Sequence, residues 1–333
     1  MEDVPEALRP PIPLALAKAV EAIPREDALP GGSMYEPKFD GYRASLSVRP
    51  EGATLWSRQG KELSRYFPEL LEAAEAQIPP GCVLDGEAVI WTADRLDFDA
   101  LQRRLVTARQ ALPALAKEHP ASFVAFDLLA VAGHDIRATA LAGRRELLEH
   151  LAADWSPPLN LSPATRDRSE ALQWFEELPA VGVEGLMVKA AGQEYQGGVR
   201  QWWKVKRRQT VDVVCAAVIG TMARPQYVVV GLPMEGRLRI VGRSSALTAA
   251  AARQLAAQLH KPAAPHPWPE TITETMLNRF SKDKAPVALT LVEPIVVEIS
   301  ADVAWSGNAF RHTVRYLRAR PELPPNHVQL PAP

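Results

Sequence analysis

The chain has 333 residues, of which 47% are hydrophobic and 23% charged, and its formal net charge is −1. This composition excludes a disordered tail protein and leaves room for two domains, each with its own core. A near-neutral total also excludes a chain that holds nucleic acid by bulk charge alone, though not one with a basic face opposite an acidic one.

The amino-terminal "MEDVPEALRPPIPLALAKAV" mixes acids and prolines with its apolar residues and reads as neither a secretory signal nor a transit peptide. The apolar run "VDVVCAAVIG" is too short to span a membrane and contains Asp212. A cytoplasmic protein without membrane contact is expected. The two cysteines, Cys82 and Cys215, lie in apolar runs without metal-ligand spacing and read as small core residues.

In chain order, "LALAKAVEAI" predicts a helix within a proline-rich lead. From Met34 to Lys206 short β-like runs ("YRASLSV", "GCVLDGEAVIW", "SFVAFDLL", "VEGLMVKA", "QWWKVKR") mix with helical ones. The helical ones are "FPELLEAAEAQ", "FDALQRRLVTARQALPALAKE", "AGRRELLEHLAAD" and "SEALQWFEEL". After "KVKRRQT" the strands come closely spaced ("VDVVCAAVIG", "QYVVVGLP", "GRLRIVGR", "VVEISAD"), with a helix at "TAAAARQLAAQL". An α+β domain over residues 1–208 is expected, then a small barrel over 209–333, with a hinge at Arg208 to Thr210.

Charged residues punctuate the apolar runs. In "EPKFDG", read as a strand, Glu36, Lys38 and Asp40 share one side, and Asp-Gly is a hairpin-turn signal. In "QWWKVKRR", Lys204 and Lys206 share a face opposite Trp203 and Val205; two neighbouring ammonium groups repel, and a bound anion such as phosphate relieves the cost. Glu87 in "LDGEAVIW" and Glu184 in "GVEGLMVKA" are carboxylates at the edges of apolar strands, where each needs a cation or a donor.

Together these words resemble one family. "KFDGYR" matches the KxDGxR signature of the nucleotidyltransferase superfamily that contains ATP-dependent DNA ligases, RNA ligases and messenger-RNA capping enzymes. "SRQG" with Arg58, "DGE" with Glu87, "AFDLL" with Phe126, "EGLMVK" with Glu184 and Lys189, and "WWKVK" with Lys204 and Lys206 follow in family order. Within the superfamily the chain resembles bacterial DNA ligase C and the ligase domain of bacterial ligase D. The last family word is aligned with "RPEL", giving Arg320 and Glu322, with Leu323 in place of the usual lysine.

The resemblance implies an ATP-grasp-like nucleotidyltransferase domain of antiparallel sheets flanked by helices, followed by an OB-fold β-barrel. It implies an enzyme that seals nicked duplex DNA in repair, with an RNA ligase or capping-type enzyme as the alternative. AMP would pass from ATP to Lys38, then to the 5′-phosphate, before the 3′-hydroxyl displaces it. Lys204 and Lys206 would assist that chemistry, and Glu87 and Glu184 would hold Mg2+ or Mn2+. Phe126 would stack on adenine and Glu36 would face its amino group. Arg43 and Arg58 would lie near ribose and the 5′-phosphate, and Lys189 and Arg320 would complete the nucleotide site. Arg103, Arg104, Arg207, Arg208, Arg311, Arg315, Arg318 and Arg320 are candidates for DNA phosphate contact. A monomer is expected, with a repair polymerase or end-binding protein as partner.

Overall fold

The computed structural model describes residues 3–263, 265–278, 283–302, 305–306, 309–310 and 312–330, with 208–209, 302 and 305–306 described by backbone alone. Contacts divide the chain into two units, Met1–Arg207 and Arg208–Pro333.

The first unit is built on two sheets. One has four strands in the order Ala17–Val20, Trp202–Lys206, Gly185–Ala190, Ser33–Pro37. Alternation sends Tyr35, Leu186, Val188 and Val205 to one face, where they pack with Ile23 and Ala171 beneath helix Arg168–Glu177. The other face therefore carries Glu36, Met187, Lys189, Trp202, Lys204 and Lys206. It turns toward the second sheet, because Trp202 shares a core with Val83, Leu129 and Ala130.

That second sheet has seven strands, with Gly52–Ser57, Tyr42–Arg49, Cys82–Thr92, Ala121–Val131 and His134–Asp135 in sequence across it. Leu46, Leu55, Phe67, Leu70, Leu84, Phe123 and Leu148 fill its opposite face. Helices Pro68–Gln77 and Leu141–Leu151 contribute to this core.

Several expectations are corrected here. The "LALAKAVEAI" helix is instead an irregular segment and the strand Ala17–Val20, paired in parallel with Trp202–Val205. Prolines on both sides leave too few residues for a stable helix, whereas the partner strand supplies hydrogen bonds and Trp203 receives the Lys18 ammonium 4.7 Å from its ring centre. This pair, and the parallel pairing of Phe123–Ala125 with 159–161, make the sheets mixed rather than antiparallel throughout.

The Asp40-Gly41 turn joins no hairpin; it carries the chain from one sheet to the other. The long helix from Phe98 stops at Val106 and restarts at Leu112, since Pro113 is accepted only in a first helical turn. Arg104 on the first of these helices is fully buried. Its guanidinium donates to the Tyr66 carbonyl, Glu69 and the His119 carbonyl at 2.8, 2.7 and 2.6 Å, so it is a structural tie and no DNA contact.

The second unit is a five-stranded antiparallel sheet in the order Arg237–Arg243, Arg224–Met234, Arg208–Thr221, Thr290–Asp302, Arg315–Ala319. A parallel bridge between Ser244 and Val314 joins its two outer strands. Val213, Val218, Val228, Val230, Val296 and Ile299 form its core with Leu255 of helix Ala249–Ala256. The expected hinge, 208–210, is paired along its backbone with 300–302 and is the start of a strand, not a free linker. Cys82 and Cys215 are buried free thiols, and burial pushes Cys215 up to about 12.

Candidate active site

Lys38 follows strand Ser33–Pro37, yet its backbone stays in the sheet's register. Its N–H donates to the Gly185 carbonyl at 2.8 Å, and the Glu184 N–H donates to the Lys38 carbonyl at 2.9 Å. Strand pairing also places Lys206 opposite Gly185. Gly185 has φ +146°, and a Cβ there would lie 2.1 Å from the Val205 carbonyl oxygen, so only glycine permits this close crossing.

The consequence is convergence on one carboxylate. Lys38 Nζ donates to Glu184 Oε2, and Lys206 Nζ lies 3.3 Å from the same oxygen. Glu184 is buried, while the two lysines keep about a fifth of their side chains exposed (21% and 20%). Lys204 lies beside them on the same strand face; burial, then the charges of Lys206 and Lys38, holds its ammonium below the usual lysine range.

Across from this group, Gly41 closes the Lys38 loop onto strand Cys82–Thr92. A Cβ at Gly41 would sit 2.3 Å from the Ala88 carbonyl oxygen and 2.9 Å from Glu87 Cγ. Glu87 is half-buried, and burial, partly offset by Lys38 and Arg43, pushes its carboxyl up to about 8.

Arg43 stands opposite Glu87 in the sheet but is bound to Asp85. Its Nε and Nη2 donate to the two Asp85 oxygens at 3.0 and 2.6 Å, and its Nη1 donates to the Ala15 carbonyl. The Tyr195 hydroxyl donates to the same Asp85 at 2.7 Å and accepts from the Ala15 N–H at 2.9 Å. Three of the five guanidinium N–H groups are thus engaged within the protein, which leaves two for any ligand.

Between the sheets lies a layer of two cations and two rings. The Arg43 guanidinium is 4.5 Å from the Trp202 ring centre, and Lys189 Nζ is 4.2 Å from Trp202 and 4.5 Å from Phe126. Lys189 is fully enclosed; its ammonium donates to the Phe126 carbonyl at 3.2 Å and pairs with Glu36 at 2.7 Å. Burial pushes the Glu36 carboxyl up against the opposing charge of Lys189.

Six motifs spaced across the sequence therefore meet on facing sheets of one unit. Residues 14–206, which hold all of them, match the family described as ATP dependent DNA ligase domain. DNA ligase C2 of Mycolicibacterium smegmatis is 35% identical over 94% of this chain and 91% of its own. DNA ligase C of Mycobacterium tuberculosis is 34% identical over 97% and 95%. The chain belongs to the ATP-dependent DNA ligases. A structure from a study of DNA binding by Lig E DNA ligases matches the fold with a TM-score of 0.53 at 17% identity, over 92% of the ligase and 99% of that chain.

Arg58 of the ligase lies near enough to Lys204 for its charge to help lower that ammonium. Arg58 is exposed; its backbone N–H donates to the Arg43 carbonyl at 3.0 Å. Arg320 belongs to the second unit, where its guanidinium meets Glu322, Asp212 and Glu298. Arg318 is paired with Glu298, and Arg207 is tied to Glu176. Arg103 and Arg315 are exposed, whereas Arg311 and the Arg208 side chain lie outside the described residues.

Asp85, Tyr195 and Trp202 were missed as site residues. Asp85 stood in the "DGE" word and Trp202 in "WWKVK", but nothing local marks Tyr195, whose partners are distant in sequence. Among the described residues no helix is long and apolar enough to cross a membrane, and no group of three or more His, Cys, Asp and Glu side chains is gathered to hold a metal ion.

Proposed function

We propose that this ligase seals 5′-phosphate/3′-hydroxyl nicks in duplex DNA through a covalent AMP on Lys38. The carrying observation is the shared Glu184 carboxylate, which holds Lys38 and Lys206 together with Lys204 alongside. An ammonium must lose a proton before it attacks, and Glu184 is the base in contact with it. The Lys38 Nζ pair then forms the bond to the α-phosphorus of ATP, the bond to the β-phosphate oxygen breaks, and pyrophosphate leaves. Lys204 and Lys206 stand where charge grows on the phosphate oxygens and stabilise it electrostatically.

A DNA 5′-phosphate oxygen next attacks the same phosphorus and Lys38 departs as the amine. Finally the 3′-hydroxyl attacks the 5′-phosphorus and AMP leaves. Phe126 and Glu36 receive adenine, Glu87 faces ribose or metal, and Arg43 offers its remaining N–H groups to ribose or to the nick phosphate.

Mg2+ or Mn2+ fits as an ion that keeps waters and takes phosphate oxygens, since Glu87 and Glu184 are oxygen donors and the described residues gather no larger ligand group. Burial raises the Glu87 carboxyl even beside Lys38 and Arg43, and the positive charge of a bound cation would favour its ionised form. When bound, the ion supplies that charge to the α-phosphate and the leaving pyrophosphate.

We read the first unit as the adenylation domain and the second as an OB-fold barrel. Five antiparallel strands whose edges are joined by the parallel Ser244–Val314 bridge support that reading. Nicked duplex would be held mainly through its phosphates, with salt-sensitive and sequence-indifferent affinity.

Intact mass after incubation with ATP and Mg2+ tests the central step. One adenylyl group on Lys38, absent in Lys38→Ala, is expected; a wild-type protein that never acquires it sinks the proposal. Sealing of nicked DNA against nicked RNA tests the substrate.

A further inference from the structure

We propose that Lys189 is a positioning residue that sets the base preference of Lys38 nucleotidylation by keeping the inward carboxylate of Glu36 a hydrogen-bond acceptor. The inference rests on the reading that the base lies against Phe126 and Glu36.

Lys189 and Glu36 are 1% and 2% exposed, and the Lys189 ammonium is spent on Glu36 Oε2, the Phe126 carbonyl and the faces of Phe126 and Trp202. Enclosed in this way, it has no path to a phosphate in the open site. The second carboxylate oxygen, Glu36 Oε1, is buried with no hydrogen-bond partner among the described residues. An ion pair so deep adds little stability over apolar side chains of the same size, so its use is sought in what it does to the carboxylate. An unmatched buried acceptor is costly until a donor arrives.

Adenine brings such a donor, its exocyclic amino group. Guanine carries an oxygen at that position, which would face the carboxylate acceptor to acceptor. Without Lys189 the buried carboxyl is left to Arg145, which favours its charge, and Asp127, which opposes it. It would then take a proton and offer an O–H, which suits guanine. Lys189 also holds the Phe126 backbone, keeping the stacking ring in step with the carboxylate.

The test follows Lys38 labelling by α-labelled ATP and GTP in wild type, Lys189→Met, Glu36→Gln and the double variant, with melting temperatures recorded. The ATP-to-GTP ratio of kcat/KM is expected to fall at least about tenfold in Lys189→Met. A folded Lys189→Met protein with the wild-type ratio overturns the inference. If that variant does not fold, the double variant, which buries neither charge of this pair, decides: a ratio equal to that of Glu36→Gln supports action through Glu36, and a further fall refutes it. A wild-type ratio in Glu36→Gln itself would instead remove the reading that Glu36 faces the base.

Discussion

Lys38 and Lys206 converge on a single atom, Oε2 of Glu184, from a loop and a strand on either side of it in the same sheet. Replacing Glu184 by Gln keeps the shape and removes the base. Adenylylation of Lys38 should fall by about 10²-fold or more, read by single-turnover labelling from ATP. A rate within about threefold of wild type would show that the carboxylate takes no proton.

The Arg43–Asp85 pair is an anchor with one member fully buried. Asp85→Asn leaves a guanidinium without its counter-charge and weakens the Tyr195 bond. A loss of about 3–5 kcal/mol in unfolding free energy is expected from urea titration. A change below about 1 kcal/mol would mean that water reaches and solvates Arg43.

Gly41→Ala tests the closure of the Lys38 loop. The added methyl must push away the Ala88 carbonyl or the Glu87 stem. A cost of about 1–3 kcal/mol is expected, with adenylylation lost disproportionately because Lys38 and Glu87 both shift. Wild-type labelling in a folded variant would contradict it.

Lys204 predicts a dependence on pH. Its folded-state value is depressed, so at neutral pH its charge weighs against the folded state. That cost fades as pH rises through the folded value toward the unfolded value of about 10.4. Wild type should therefore gain stability relative to Lys204→Met as pH rises through the alkaline range toward about 10.4. Urea midpoints that stay a fixed distance apart across this range would refute the assignment.

The thiols should be silent in the native state. Burial raises both, Cys215 to about 12 and Cys82 above its usual range. Neither should react with an aromatic disulfide reagent at about pH 8, while both should react in denaturant. Rapid native labelling would mean that one of the cores opens readily.

Much of the site was legible because each motif residue is local to a strand with strict alternation. Lys204 and Lys206 fall on one face because they are two apart, and Glu184 precedes an apolar strand that had to be paired. What escaped depends on partners far along the chain. Ala17–Val20 has helical composition and becomes a strand through Trp202–Val205. Arg43 has the spelling of a phosphate ligand, but Asp85 and the Ala15 carbonyl engage most of it. Arg104 has the spelling of a surface charge, but three acceptors from two distant stretches, 66–69 and 119, close on it. Propensity sees neighbours, whereas these residues are decided by what the sheets bring to them.

The parallel register of Ala17 with Trp202 also bears on how this protein is made. On a ribosome, the earliest strand of the sheet must wait for the latest, so the lysine-bearing surface cannot assemble until residue 206 has emerged from the exit tunnel. Long-range closure of that kind favours slow maturation and leaves an unpaired edge during synthesis. A nascent chain halted before Trp202 should stay protease-sensitive and unlabelled by ATP.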